Sequence, residues 1–447
     1  MLAEYEAFAE LATPPRYNSP MPDSRVIPRR KPKAYRFRPP RHVPALMAFG
    51  RLAAPIYLRA VVHVTGVEIS AADRAKLEAL RHERVVLTPN HPTHDPVVMF
   101  QLSSMLKMQY YWLAAREVFE RPLQGWVVSR VGAYSVDRGV KDADALNTTR
   151  RLLKEGRHWL VLFPEGMEHY LHDAVLPFLP GAARLGLGAL SDLAAGGDPP
   201  PLKLVPVASR YYYTRDMRPV MEQALTRLER HLDLDDPPPA DWQARQDRIS
   251  DVVLSVNEEY YGVPPEPGAD VTARLVRLRE VVIARVADSL GVPAQHRDKP
   301  LRNRVRRLMT IAHRRMQETP EAGGEYAREL ASRRLGWAGR LLKELRRVME
   351  FVSITPDLAA GPPTVENYLD VIGRIEMEVF NKWRSFGPRR VQISVGEPVD
   401  LREYYARYQD DPDEASEAAM LEVEHRVREL LKSTAHLMTP LPESEYR

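Results

Sequence analysis

Thr88-Pro89-Asn90-His91-Pro92-Thr93-His94-Asp95 lies between Arg84-Val85-Val86-Leu87 and Pro96-Val97-Val98-Met99-Phe100-Gln101-Leu102. The first apolar run is short, as a buried strand is. The second opens with a proline, which suits the first turn of a helix, where a missing N–H is not needed. A polar loop joining a strand to a helix is where an α/β protein presents its functional groups, and here it offers His91, His94 and Asp95. Residues four apart on a helical turn lie about 40° apart around the axis. Asp95 is therefore placed to take the second N–H of the His91 ring. That contact fixes the tautomer and frees the other nitrogen as a general base for a hydroxyl. A helix cap at His91 beside a solvated Asp95 is the other use of the same residues.

Outward from this loop the chain alternates. Strands are expected at 84–89, 110–114, 131–136, 159–163 and 202–207, and helices near 97–107, 117–130, 141–155 and 181–194. Such alternation implies an α/β fold, a mixed, largely parallel sheet flanked by helices. Two more loops carry polar groups at strand ends. In Gly132-Ala133-Tyr134-Ser135-Val136-Asp137-Arg138-Gly139, the Arg138 guanidinium could grip a phosphate with two hydrogen bonds, pair with Asp137, or cap a helix. In Leu162-Phe163-Pro164-Glu165-Gly166-Met167-Glu168, the flanking Pro164 and Gly166 make a rigid turn that aims the Glu165 carboxylate.

The ordered series Asn90-His91 to Asp95, Gly132 to Arg138-Gly139, Phe163-Pro164-Glu165-Gly166 and Val205-Pro206-Val207 resembles the four blocks of the glycerolipid acyltransferase family. Pro177-Phe178-Leu179-Pro180-Gly181-Ala182-Ala183-Arg184 is similar to the stretch between its third and fourth blocks, so the likeness covers roughly residues 80–215. The resemblance implies transfer of an acyl group from a thioester of coenzyme A or acyl carrier protein to a hydroxyl, usually on a glycerol phosphate backbone. It implies His91 as general base and Asp95 as its orienter, with Asn90 beside them. Arg138 and Gly139 would bind the acceptor's phosphate, Glu165 and Gly166 would shape the acceptor site, and Phe163, Pro164, Val205 and Pro206 would line the pocket. No cofactor and no metal are implied. Backbone N–H groups at a helix start are the expected oxyanion donors. Two departures stand out: only Pro92, Thr93 and His94 separate His91 from Asp95 where the family has four residues, and Met167-Glu168-His169 replaces the family's Thr-Arg-Ser.

A competing reading uses His91-Pro92-Thr93-His94-Asp95 together with His169-Tyr170-Leu171-His172-Asp173, whose shared pattern could hold a dinuclear metal centre for hydrolysis. A third keeps the fold for non-catalytic lipid binding.

Composition narrows the setting. At 447 residues the chain is long enough for more than one domain, and 44% hydrophobic with 28% charged residues is globular composition. Cysteine is absent, which removes disulfides, thiolate metal sites and thiol nucleophiles and suits a reducing cytoplasm. Glu4, Glu6 and Glu10 stand where a secretory leader would be basic. The net charge of +4 is modest, but Arg25, Arg29, Arg30, Lys31, Lys33, Arg36, Arg38 and Arg41 crowd a Pro-rich leader, residues 1–41. Such a leader is drawn to an anionic membrane surface. With Tyr35 and Phe37 as the aromatics of its basic stretch, residues 25–41, it makes a poor base-stacking platform, and no nucleic acid is expected. The apolar run 42–66, interrupted by Arg51 and Arg59 and bent at Pro55, reads as one or two helices against the core or a membrane interface.

Beyond Tyr213 the pattern turns helical, at 217–234 and 242–261, with an acidic Pro-rich linker at 235–240. From 271 to 316 arginines dominate the polar faces, a surface suited to a membrane, an acidic carrier protein or plain solvent. Arg390 to Val395 alternates as a strand, followed by Gly396-Glu397-Pro398 and a helix at 415–431. The expected layout is thus leader 1–41, α/β core 42–216, helical insertion 217–385, and closing strand and helix 386–447. The expected protein is an O-acyltransferase of phospholipid biosynthesis, cytoplasmic and peripheral on the inner face of the membrane, acting on a glycerol-phosphate-type or lysolipid acceptor.

Overall fold

Alternation along the strands decides which face each residue covers. In Arg84–Pro89, Val85 and Leu87 join the hydrophobic cluster on one side of the sheet, while Val86 joins the other. Trp159 and Val161 lie on the first side and Leu160 on the second. Both faces are buried, as parallel strands between helical layers require. The computed structural model describes residues 35–442 except 138–141, 196, 235–240, 267, 294–300, 318–323 and 353–362. Arg138, Gly139, the 235–240 linker and the leader's Arg25 to Lys33 therefore lie outside the described residues.

The strands are β1 Val64–Ile69, β2 Arg84–Pro89, β3 Tyr110–Ala115, β4 Ala133–Val136, β5 Trp159–Val161, β6 Leu202–Tyr213, β7 Arg389–Val395 and β8 Val399–Asp400. They make one sheet in the order β1-β7-β6-β2-β5-β3-β4, with β8 paired to β6. From β6 through β2, β5 and β3 to β4 all pairs are parallel; β7 runs antiparallel to β6, and β1 follows β7. The mixed, largely parallel sheet is the expected class.

Around it pack α1 Pro44–Ala60, α2 Ala71–Ala79, α3 Asp95–Met105, α4 Pro122–Arg130, α5 Ala143–Glu155 and α6 Gly181–Ala194. Between β6 and β7 come α7 Arg218–His231, α8 Trp242–Tyr261, α9 Val271–Ser289, α10 Leu301–Gln317, α11 Glu325–Val352 and α12 Val365–Phe380; α13 Tyr405–Asp410 and α14 Pro412–Ser433 follow. The segment 35–43 closes the β4 edge: Arg38 and Ser135 exchange hydrogen bonds of 2.9 and 3.1 Å, and Val43 donates to Arg130 at 2.9 Å.

The apolar run 42–66 divides differently from expectation. α1 continues through Pro55, and the chain then enters β1, whose Val64, Thr65, Val67 and Ile69 are β-branched residues better suited to a pleat than to a helix. β6 runs past the expected end at 207 to Tyr213, because Val207 to Tyr213 pair antiparallel with β7. No local pattern signals a pairing that depends on a strand so distant in sequence.

The inserted helices bury two clusters. α7, α8 and α12 enclose Met221, Leu225, Ile249, Leu369 and Ile372, while α8 to α11 enclose Leu254, Leu278, Ile283, Val305 and Leu345. Several of the arginines that made this region resemble a docking surface instead join helices. Arg274 bonds Glu258 and Asp251, Arg304 bonds Glu280, Arg285 bonds the Tyr261 carbonyl, and Arg347 bonds Glu378 and Asn257. Arg274 is buried by its contacts, whereas Arg285 stays exposed, and Arg347 lies beyond the 271–316 stretch.

Candidate active site

β2 ends between β6 and β5, with Leu87 level with Val205 on one side and Val161 on the other. The loops leaving β2 and β5 therefore emerge together at the carboxyl ends of parallel strands, the usual place for a site in an open α/β sheet. Asn90 anchors the first loop. It is fully buried, its Oδ1 accepts the Ser209 N–H at 2.7 Å, and its Nδ2 donates to the Ser209 carbonyl at 3.3 Å.

His91 Nδ1 lies 3.3 Å from Asp95 Oδ2. The shorter spacing is absorbed by a tight turn: Asp95 N–H donates to the Thr93 carbonyl and Asp95 Oδ2 accepts the Thr93 N–H, both at 2.8 Å. Asp95 Oδ1 accepts the Tyr211 hydroxyl at 2.8 Å, so this fully buried carboxylate faces donors on both oxygens. Burial and the adjacent Asp95 raise the Tyr211 pKa well above its ordinary value, which keeps Tyr211 a donor. The His91 ring stacks on Phe163 with centroids 4.1 Å apart. With Nδ1 committed to Asp95, Nε2 faces Glu168, whose Oε1 is 4.0 Å away.

Glu165 is buried behind His91. Oε1 accepts the His91 N–H at 2.6 Å, Oε2 accepts the Leu176 N–H at 2.6 Å, and His169 Nε2 lies 2.9 Å from Oε2. It braces the two loops against each other. Gly166 takes φ +71° and donates its N–H to the Phe163 carbonyl at 3.0 Å, while the Pro164 carbonyl accepts the Leu179 N–H at 3.0 Å. Only glycine adopts that left-handed backbone without strain. Val205 is buried in the sheet below the site, and its carbonyl accepts the Thr88 hydroxyl at 2.9 Å; the Pro206 carbonyl accepts the Gly396 N–H at 2.9 Å. The N–H groups of Thr93, Asp95 and Val97 at the start of α3 are already engaged within the turn, so they are not spare oxyanion donors.

The second His-x-x-His-Asp loop turns its groups elsewhere. His169 faces Glu165, and Asp173 pairs with Arg210. His172 Nδ1 lies 2.5 Å from Asp370 Oδ1, and Arg389 Nη1 donates to its Nε2 at 2.7 Å. A guanidinium is never an acceptor, so the His172 proton sits on Nδ1 toward Asp370. Burial pushes the His172 pKa below the ordinary value, in keeping with a neutral ring. His94 packs edge-on to Tyr57, with burial likewise lowering its pKa. Among the described residues no group of three or more histidines and carboxylates converges as a shared metal would require.

Sequence reasoning missed Tyr211, Asp370 and Arg389. Each approaches from a distant segment: β6, the inserted α12 and β7. The Tyr211-Tyr212-Tyr213 run was visible, but nothing local said which tyrosine would meet Asp95.

The arrangement is a buried His–Asp pair with one imidazole nitrogen turned outward at the mouth of a parallel sheet. Residues 63–210, which span β1 to most of β6, match the family model described as Acyltransferase. Over this third of the chain the protein is similar to the acyltransferases that the model describes. Over 85 residues it is 28% identical to the 1-acyl-sn-glycerol-3-phosphate acyltransferase of Streptococcus pneumoniae (strain ATCC BAA-255 / R6). That similarity covers 19% of this chain and 31% of the relative.

Proposed function

We propose that the protein transfers an acyl group from a thioester of coenzyme A or acyl carrier protein to the hydroxyl of a glycerol-phosphate-type or lysolipid acceptor. The observation that carries this reading is His91, held through Nδ1 by Asp95 with Nε2 turned outward. The acceptor's oxygen attacks the thioester carbonyl carbon as its proton passes to His91 Nε2. The tetrahedral intermediate then collapses, the carbon–sulfur bond breaks, and the departing thiolate takes the proton back from the imidazolium. Asp95 stabilises that imidazolium, and Tyr211 and Thr93 hold Asp95 in place. Glu165 acts as a positioning residue through the His91 backbone, and Arg138 with Gly139 is the candidate grip on an acceptor phosphate.

An apolar face supports work at a membrane surface. α1 exposes Phe49, Leu52 and Ile56 on one side, and the neighbouring α4 exposes Leu123 and Trp126. Arg130 lies over the Trp126 ring, and Arg36, Arg38 and Arg41 are exposed just upstream of α1. Apolar side chains bordered by cations suit the interface of an anionic bilayer. Tyr57 of α1 touches His94, so this face adjoins the site. No helix among the described residues is long and apolar enough to cross a membrane.

Replacing His91 by Ala and following acyl transfer to lysophospholipids tests the reading. The expected loss is about 10²- to 10⁴-fold in kcat; unchanged turnover overturns it. Vesicle binding without turnover of any thioester would instead favour a lipid-binding protein that keeps the fold.

A further inference from the structure

Three carboxylates surround His91, and they differ in what they face. Asp95 and Glu165 are fully buried and bonded to protein donors. The Glu168 side chain is 34% exposed, with Oε2 accepting the Tyr170 hydroxyl at 3.2 Å. Its Oε1 has no lysine or arginine within ion-pair distance among the described residues, and lies 4.0 Å from His91 Nε2. Tyr170 is itself fixed: its N–H donates to the Pro92 carbonyl at 2.6 Å, and its ring packs on Trp383 at 4.2 Å. Glu168 is thus held in place at the mouth of the site, beside the atom proposed to take the acceptor's proton.

A hydroxyl bonded to His91 Nε2 must come within about 2.6–3.2 Å of that nitrogen. Substituents next to it then lie in the field of Glu168. A phosphomonoester dianion there meets a like charge, whereas an ammonium group gains a charge-assisted hydrogen bond. The geometry points to Glu168 as a cation subsite, and to an acceptor whose head-group ammonium folds back to it past the intervening phosphodiester, such as an amine-headed lysolipid, in preference to a phosphomonoester. This rests on the acyl-transfer reading of His91. The same attack and the same return of the proton to the thiolate apply; Glu168 takes no proton and orients the acceptor by charge.

The test compares lysophosphatidylethanolamine, lysophosphatidylglycerol and lysophosphatidate of equal chain length as acceptors, using wild type, Glu168→Gln and Glu168→Arg. Wild type should favour the ethanolamine head group by kcat/KM. Glu168→Gln, which preserves size and the Tyr170 contact, should shrink the ethanolamine-to-glycerol ratio about 10- to 100-fold. Glu168→Arg should move the preference to lysophosphatidate. An unchanged ethanolamine-to-glycerol ratio in Glu168→Gln overturns the subsite. Equilibrium binding of hexanoyl-chain lysolipids below their micellar concentration keeps the subsite testable if His91→Ala shows that acyl transfer is the wrong reading. Tighter ethanolamine binding by wild type than by Glu168→Gln supports it, and equal binding overturns it.

Discussion

Asp95 is the residue on which the site's geometry turns. As asparagine it would keep its size and its contact with Tyr211 but lose the charge that favours the His91 imidazolium. The expected result is a fall in kcat of about 10²- to 10⁴-fold, read by steady-state assay, with a melting temperature lowered by the buried Thr93 N–H that then faces the new amide NH2 in place of an acceptor. Glu165→Ala should act chiefly on stability. It strips the partners from the His91 and Leu176 N–H groups and from His169, and should destabilise the fold by about 3 kcal/mol in denaturant unfolding. The His91–Asp95 pair was legible in the sequence because both residues lie on one turn. The Glu165 loop was legible as a rigid turn, but its buried bracing role was not, because a carboxylate's partners in other segments leave no mark in its own neighbourhood. The same holds for the Tyr211 hydroxyl.

Elements that are regular over many residues were the easiest to foresee. β2 and α8 fall at the expected residues, since one is a short apolar run and the other a long amphipathic helix. The start of β1, residues 64–66, was read as helix because its apolar residues continue those of α1, and the turn between them at Val62 and His63 carries no proline or glycine. Titration belongs at this scale, because the sensitive histidines lie where elements meet. His42, on the segment that closes the β4 edge, has its ring centroid 5.0 Å from that of His158, the residue before β5. Burial lowers the pKa of both, His158 to about 4, and the neighbouring Arg157 pushes in the same direction. His172 and His94 are also lowered. Unfolded histidines titrate near 6.5, so below about that pH the unfolded chain binds more protons than the native one, and stability falls as the pH drops. Thermal unfolding between pH 7 and pH 5 should show this loss, and His158→Gln should make it shallower. Arg279 of α9 makes a separate case: at 9% exposure its Nε and Nη1 lack hydrogen-bond partners among the described residues, and burial lowers its pKa. Arg279→Met should raise stability by about 1–3 kcal/mol in denaturant unfolding, because it removes an uncompensated buried charge.

On the scale of the whole molecule, the exposed apolar side chains of α1 and α4 are left uncovered by the described residues. Leu52 is 73% exposed, so Leu52→Asp should leave the melting temperature unchanged while weakening binding to anionic vesicles about 10- to 100-fold in a sedimentation assay. Equal binding by both proteins would place the contact elsewhere. The order of the strands has a consequence for how the chain is made. β1, among the first strands synthesised, pairs with β7, among the last, and β7 is also the antiparallel neighbour of β6. Until the ribosome has delivered Arg389 to Val395, two rows of unpaired backbone amides wait at β1 and β6, and α12, which brings Asp370 to His172, precedes β7 by only a short connection. Nascent chains stopped before that point are the ones that should stick to each other or require a chaperone.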